Sequence, residues 1–178
     1  MRPNLLLLLL MTSGIILGQS NELETEEKFN KHVFGFMLSH TNISQGIKEG
    51  NRKWLSLPSF ALDYNFNINS KWQIGLHNDV VIEKFVVSTA DEKELERSTP
   101  IASAVVLGYK VGKHFTFQAG LGGEFAKEED FALTRFGVEY GVEIRNNWEL
   151  ITNFSYDVKW NAYDSFSLGI GVCKSFGE

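Results

Sequence analysis

Large apolar side chains alternate with small or polar ones along most of the chain after residue 30. This period of two is typical of β-strands that face two different environments. Eight such segments can be placed, at about 32–40, 54–66, 71–87, 99–110, 114–125, 131–144, 148–159 and 163–176. No stretch of useful length has a helical period, so the pattern predicts an all-β protein.

The connections between these segments alternate in character. NINS, VGK and RNN are tight turns that join segments 2 and 3, 4 and 5, and 6 and 7. The other series begins with two long connections, TNISQGIKEGNRK and STADEKELERS, which we expect to be solvated loops. Short turns at one end and longer loops at the other are typical of up-and-down barrels in membranes. The sequence therefore predicts an eight-stranded antiparallel up-and-down β-barrel.

The two faces of the predicted strands differ in side-chain size. One face carries bulky apolar residues such as Phe34, Phe36 and Leu38, whereas the other is small or polar, as at Gly169 and Gly171. An eight-stranded barrel is only just wide enough for its interior side chains, so the bulky face must point outward. Lipid is the solvent that suits such an exterior. We predict a transmembrane barrel with a polar, filled lumen; the alternative is a soluble, lipocalin-like barrel that holds a ligand.

Ionisable residues on the small-side-chain face are predicted to form a paired network in the lumen, because a buried charge needs a partner. The candidates are Asp63, His77, Asp79, Glu83, Glu124, Arg135, Glu139, Glu143 and Asp157. Counting outward from the RNN turn places Arg135 opposite Asp157, which predicts a cross-strand salt bridge. His77 and Asp79 also suit a hard-metal or proton-handling site. Since zinc-type spacings are absent, we expect a structural network with no metal and no cofactor.

The stretch WELITNFSYDVKW starts and ends on tryptophan, at Trp148 and Trp160. Its 12 steps cover roughly 40 Å along a strand at about 3.3 Å each. With a tilt of about 40° this becomes roughly 30 Å along the membrane normal, close to the thickness of a bilayer's hydrocarbon core. We therefore predict interface aromatics at Trp72 and Trp148 on the periplasmic side, at Trp54 and Trp160 on the outer side, and at Phe176.

The N-terminal sequence MRPNLLLLLLMTSGIILGQS has one basic residue, an apolar run and small residues at its end. This composition predicts a cleavable signal peptide over residues 1–20. Residues 21–30 then form an acidic periplasmic spacer, and residues 31–178 form the barrel. Cys173 is the only cysteine, so no intrachain disulfide is expected.

The net charge and the charges of the connections indicate which classes of partner the protein can bind. The net charge of −5 leaves no basic footprint for nucleic acid. The first long connection carries Lys48, Glu49, Arg52 and Lys53, whereas the second long connection and AKEED are both net acidic. Basic side chains suit lipopolysaccharide phosphates, and acidic ones suit its divalent cations. We expect loops that contact lipopolysaccharide or an external partner.

The stretches GYKVGKHFTFQAGLGGEF and SFSLGIGVCKSF resemble the terminal strands of "outer membrane protein beta-barrel" families. Together with the eight segments, the resemblance over about residues 31–176 is to small barrels of the OmpA/OmpX type, and most to uncharacterised members from Bacteroidota-like Gram-negative bacteria. It implies a bacterial outer-membrane location and recognition by the barrel-insertion machinery near Phe176. We also expect a monomeric or weakly associating barrel in contact with outer-membrane lipid. The resemblance also raises a lipid A-modifying enzyme as an alternative. That reading requires a His and a Ser or Thr at the outer rim, where only His40 lies, so we expect no catalysis.

Overall fold

The computed structural model describes residues 30–177. The predicted signal peptide and nearly all of the predicted acidic spacer therefore lie outside the described residues. Within them the structure is all-β, with ten strands. These are β1 (His32–Lys48), β2 (Asn51–Asn67), β3 (Trp72–Val81), β4 (Phe85–Ser88), β5 (Glu94–Arg97), β6 (Ile101–Val111), β7 (Phe115–Phe125), β8 (Phe131–Arg145), β9 (Trp148–Lys159) and β10 (Asp164–Phe176). Over the same residues, no helix is long and apolar enough to cross a membrane.

Eight of the strands close into an antiparallel barrel. Their order follows the chain, β1-β2-β3-β6-β7-β8-β9-β10, and β10 pairs with β1 to complete the ring. The predicted fold class, an eight-stranded antiparallel up-and-down barrel, is confirmed. We call the end with the β2–β3, β6–β7 and β8–β9 connections the turn end, and the opposite end the loop end. The first residue of β1 and the last residue of β10 pair with each other at the turn end.

The side-chain alternation places bulky residues outside and small or polar ones inside. Exposed apolar side chains occur on all eight barrel strands, including Phe36, Leu62, Leu121, Phe136 and Leu168. Buried positions are occupied by small, polar and charged residues, with two apolar clusters among them. One cluster consists of Val33, Met37, Ala61, Ile151 and Cys173, and the other of Ala102, Ala104, Val106 and Leu133. The lumen is therefore filled by side chains.

The first long connection is not the loop that we expected. β1 and β2 continue as a paired hairpin past Ile43, to the Lys48–Asn51 pair, and are joined by two residues only. Those residues, Glu49 and Gly50, both have positive φ, as a two-residue type I′ turn requires. Glycine adopts this conformation without strain, so a KEGN sequence between alternating strands closes a hairpin where composition alone indicated a loop.

The second long connection also differs from the prediction. The predicted third strand, 71–87, ends at Val81, and Phe85–Ser88 form the separate strand β4. β4 pairs with β5 as a short hairpin, so the segment expected to be a solvated loop is ordered in strands. Val87 of this hairpin also pairs with Gly46 of β1. We call residues 85–97 the hairpin cap, because they fold against the loop end of the barrel.

Candidate functional site

Arg135 stands at the centre of the buried polar network. Its Nε and one Nη each donate to Asp157 Oδ atoms at 2.7 Å, a bidentate contact between neighbouring residues of β8 and β9. Its other Nη lies 2.6 Å from an Asp79 carboxylate oxygen on β3. The predicted Arg135–Asp157 salt bridge is confirmed. Because β3 and β8 are separated by β6 and β7 in the sheet, the same guanidinium also connects strands across the lumen.

Asp63 and His77 form a second buried pair, beside the first. They are register partners on β2 and β3, with 3.5 Å between His77 Nδ1 and an Asp63 carboxylate oxygen. The other ring nitrogen of His77 lies 2.9 Å from the Asn65 amide oxygen. Both His77 nitrogens therefore have a protein partner, which leaves neither ring nitrogen open for a metal ion. Among the described residues, no group of three or more His, Cys, Asp or Glu is arranged to hold a metal.

A third cluster lies toward the loop end and is built around the Glu124 carboxylate. One of its oxygens accepts hydrogen bonds from Arg97 at 2.6 and 3.1 Å and from the Tyr163 hydroxyl at 2.5 Å. Its other oxygen lies 3.4 Å from Lys159 Nζ. Burial, followed by the Glu124 charge, raises the pKa of Tyr163 well above its ordinary value, so the hydroxyl stays protonated and donates.

Arg97 belongs to the hairpin cap and is 0% exposed. Its guanidinium donates to the Glu129 carbonyl as well as to Glu124, and lies 4.8 Å over the Phe131 ring. A buried guanidinium needs all of these acceptors, because an unpaired one carries a large desolvation cost. Arg97 thus fastens the hairpin cap to β7 and to the connection that precedes β8.

Apolar packing holds the hairpin cap in the same position. Phe85 and Val87 of the cap lie in a buried cluster with Ile43, Val81, Phe131 and Tyr163. Val87 is completely buried, and the Phe85 ring meets the Tyr163 ring edge to face at 6.2 Å. Apolar burial and the Arg97–Glu124 pair together close the loop end of the lumen.

The remaining predicted lumen residues lie outside these three clusters. Glu139 is a register partner of Asn153 and is half-buried on the inward row of β8, nearer the turn end. Glu143 is exposed at the turn end of β8 and is not part of the buried network. The placement of Glu83 in the lumen was wrong, because it is exposed in the bend after β3. Its assignment assumed that the alternation of β3 continued without a break.

Sequence reasoning missed three residues of the network: Arg97, Lys159 and Tyr163. Lys159 continues the inward row of Ser155 and Asp157, and its Nζ donates to Ser165 at 2.5 Å, so the alternation contained the signal for it. Arg97 lies outside the eight predicted strands, so no period-two pattern could assign it a face. Tyr163 is the first residue of the eighth predicted strand, where the alternation with Phe166 and Leu168 already places it on the inward row.

The five predicted interface aromatics are all exposed on the outside of the barrel, in two groups. Trp72, Trp148 and Phe176 lie toward the turn end, and Trp54 and Trp160 toward the loop end. Neighbouring strands supply ring partners, as in the Trp72–Tyr109 pair at 4.7 Å and the Trp54–Phe166 pair at 5.6 Å. The exposed apolar surface is therefore bordered by aromatic rings at both ends.

Comparison with known proteins identifies the fold. No family model matches the sequence, and no curated protein matches it either. The structure is similar to that of neisserial surface protein A, with a TM-score of 0.55, 11% identity, and coverage of 82% of this chain and 97% of the other. It is also similar to Ail, the attachment invasion locus protein of Yersinia pestis, with a TM-score of 0.50, 11% identity, and coverage of 82% and 99%. The chain thus has the fold of small eight-stranded outer-membrane barrels.

Proposed function

We propose that this chain is an integral outer-membrane barrel with a structural or surface-interaction role and no catalytic activity. The observation that carries the proposal is the exterior, where bulky apolar side chains are exposed on all eight barrel strands. A continuous apolar surface of this kind is unfavourable in water and is well solvated by lipid acyl chains. The likeness in fold to small outer-membrane barrels supports the same location.

The interior argues against the soluble, ligand-binding alternative. A lipocalin-like barrel needs an open cavity inside and a polar surface outside. Here the lumen contains Arg135 in contact with Asp157 and Asp79, and His77 in contact with Asp63. The hairpin cap closes the loop end above them. An interior filled by buried polar side chains favours a protein that acts through its exterior, and we propose that role.

The enzyme alternative depends on His40. Its side chain is exposed on the outer face of β1, where its register partners are Pro58 of β2 and Leu168 of β10. Neither neighbour carries a hydroxyl or carboxyl group that could orient the imidazole or act beside it. This environment supports no acyl-transfer reaction, and we assign none.

The tip of the β1–β2 hairpin supplies the contact that we propose with lipopolysaccharide. Lys48 and Lys53 are exposed there, and Trp54 follows them on β2 with 58% of its surface exposed. Arg52, between them, donates to Ser88 of the hairpin cap at 2.9 Å, which holds the tip against the cap. Cations beside an interface tryptophan suit the phosphates of an outer-leaflet lipid.

Membrane insertion can be tested by cell fractionation and by gel mobility with and without boiling. We expect the protein in the outer-membrane fraction, extracted only by detergent, with an unboiled form of different mobility that persists in dodecyl sulfate. Recovery in the soluble fraction without detergent would contradict the proposal.

The lipopolysaccharide contact needs a separate experiment, because a barrel can insert without binding it. The Lys48→Gln/Lys53→Gln variant removes two cations at the loop end, and Lys71→Gln/Lys113→Gln removes two at the turn end as a matched control. We expect the loop-end variant alone to lose affinity for purified lipopolysaccharide, by roughly fivefold for each phosphate contact of about 1 kcal/mol. Equal affinity in both variants would refute the contact.

A further inference from the structure

Basic residues mark the turn end of the barrel around its whole circumference. Lys31 precedes β1, Lys71 lies in the β2–β3 turn, Lys113 lies in the β6–β7 turn, Arg145 ends β8, and Lys174 is near the end of β10. Each place where two strands meet at this end therefore carries a cation. We call these five residues the basic rim.

Acidic residues at the turn end are fewer. In the described residues they are Glu143, which is exposed, and Glu139 and Glu149, which are half-buried on the inward rows of β8 and β9. The loop end has a net acidic excess, because its exposed cations are outnumbered by Glu49, Glu83, Asp91, Glu92, Glu94, Glu96, Glu128, Glu129 and Asp130. The barrel thus has a basic end and an acidic end, with the apolar exterior between them.

The basic rim adjoins the aromatic residues that border the apolar exterior. Lys174 Nζ lies 5.3 Å from the centre of the Trp148 ring and donates to the Asn146 carbonyl in the β8–β9 turn. Lys71 immediately precedes Trp72, and its carbonyl accepts a hydrogen bond from the Lys110 amide of β6. A long aliphatic stem beside an aromatic ring, with its charge at the strand end, is the arrangement of a lysine that reaches from apolar surface to a polar boundary.

We propose that the basic rim binds the phosphate headgroups of anionic phospholipids in the leaflet at the turn end. This inference rests on the proposed insertion of the barrel in the outer membrane. Its support is the match of charge and position, since cations at the edge of a lipid-facing surface meet headgroups at that depth. A ring of single cations suits lipids that surround the barrel. An acidic soluble protein would instead need a compact basic face on one side.

The proposal can be tested in bilayers that contain trace spin-labelled lipid. The purified barrel is reconstituted in phosphatidylcholine vesicles with either spin-labelled phosphatidylglycerol or spin-labelled phosphatidylcholine, and electron paramagnetic resonance gives the motionally restricted fraction of each. We expect phosphatidylglycerol to be preferred at the barrel surface by roughly fivefold for a headgroup that meets one cation. High salt should reduce the preference, because screening weakens exposed contacts.

Two double variants, each of which removes two positive charges, test which end of the barrel causes the preference for phosphatidylglycerol. Lys71→Gln/Lys113→Gln should lower the preference for phosphatidylglycerol, whereas Lys93→Gln/Lys127→Gln, in exposed connections at the loop end, should leave it unchanged. A wild-type barrel that restricts both lipids equally would overturn the proposal, and so would equal loss in both variants. If neither lipid is restricted, the barrel has not entered the bilayer, and that result would refute the proposed function together with this inference. If the basic rim instead binds an acidic soluble protein, the wild-type barrel should restrict both lipids equally.

Discussion

Replacing Arg135 with methionine should destabilise the barrel more than replacing any exposed arginine. Arg135→Met removes the cation but keeps a side chain of similar length in the lumen. It leaves Asp157 without its bidentate partner and Asp79 without a contact of 2.6 Å. Arg135 is 2% exposed, so solvent cannot replace the lost interactions.

The expected loss of free energy of unfolding follows from the two carboxylates that stay buried without a partner. Removing one partner of a buried ion pair costs about 3–5 kcal/mol, mainly because the remaining charge is left without compensation. Two carboxylates lose their partner here, so we expect a loss of free energy of unfolding in the upper part of that range, about 4–5 kcal/mol. The folding equilibrium constant would then fall by roughly three orders of magnitude.

The assay is reversible unfolding by urea in detergent or vesicles, followed by tryptophan fluorescence. Arg145→Met is the matched control, because Arg145 lies on the same strand, β8, and is exposed at its end. Its effect should stay within about 0.5 kcal/mol. Adding Asp79→Asn and Asp157→Asn to Arg135→Met should restore most of the loss, since neutral amides need no cation. Equal losses for Arg135→Met and Arg145→Met would refute the reasoning that the lumen charges are desolvated.

Two further substitutions test the hairpin cap and the close approach of two strands. Glu124→Gln should weaken the interaction with Arg97 by about 1.5–3 kcal/mol. Hydrogen exchange of the cap amides should then become roughly ten- to hundredfold faster. Unchanged exchange would argue that apolar packing alone holds the cap. Gly122→Val should abolish the compact, heat-modifiable form, because a Cβ there would lie 2.0 Å from the Ser103 carbonyl oxygen. Gly123→Ala, whose Cβ would have the Phe125 ring as its nearest neighbour at 3.0 Å, should keep that form, and loss of folding in both variants would contradict the steric explanation.

The strands and one salt bridge could be predicted from the sequence because both depend on period two. Alternation fixes which residues share a face, and the RNN turn fixes the register of β8 against β9. Asp157 could therefore be paired with Arg135 by counting, and the observed register has the same partners. A one-residue error in the turn would have moved Asp157 to the outer face.

The hairpin cap could not be predicted because its order comes from contacts distant in sequence. ELER is a charged tetrapeptide, yet Leu95 packs against the buried cap cluster and Arg97 reaches Glu124 on another strand. Charge-rich composition normally indicates solvation, and here the tertiary structure overrides it. The error at Glu83 has the same origin, since the chain bends after Val81 to begin the cap.

The interior and the exterior of this barrel have different roles. The lumen side chains contact one another across neighbouring strands, in the polar pair Asp63–His77 and the ion pair Arg135–Asp157, and across the barrel, in the ion pair Arg135–Asp79. These contacts fix the register of the strands and the closure of the barrel, because a shift of one residue would move the charged side chains to the apolar exterior. The contacts of the lumen side chains therefore favour a single fold. In the proposed function, recognition therefore uses the two ends of the barrel, where the net charges are opposite, and the apolar surface between them, which would meet lipid.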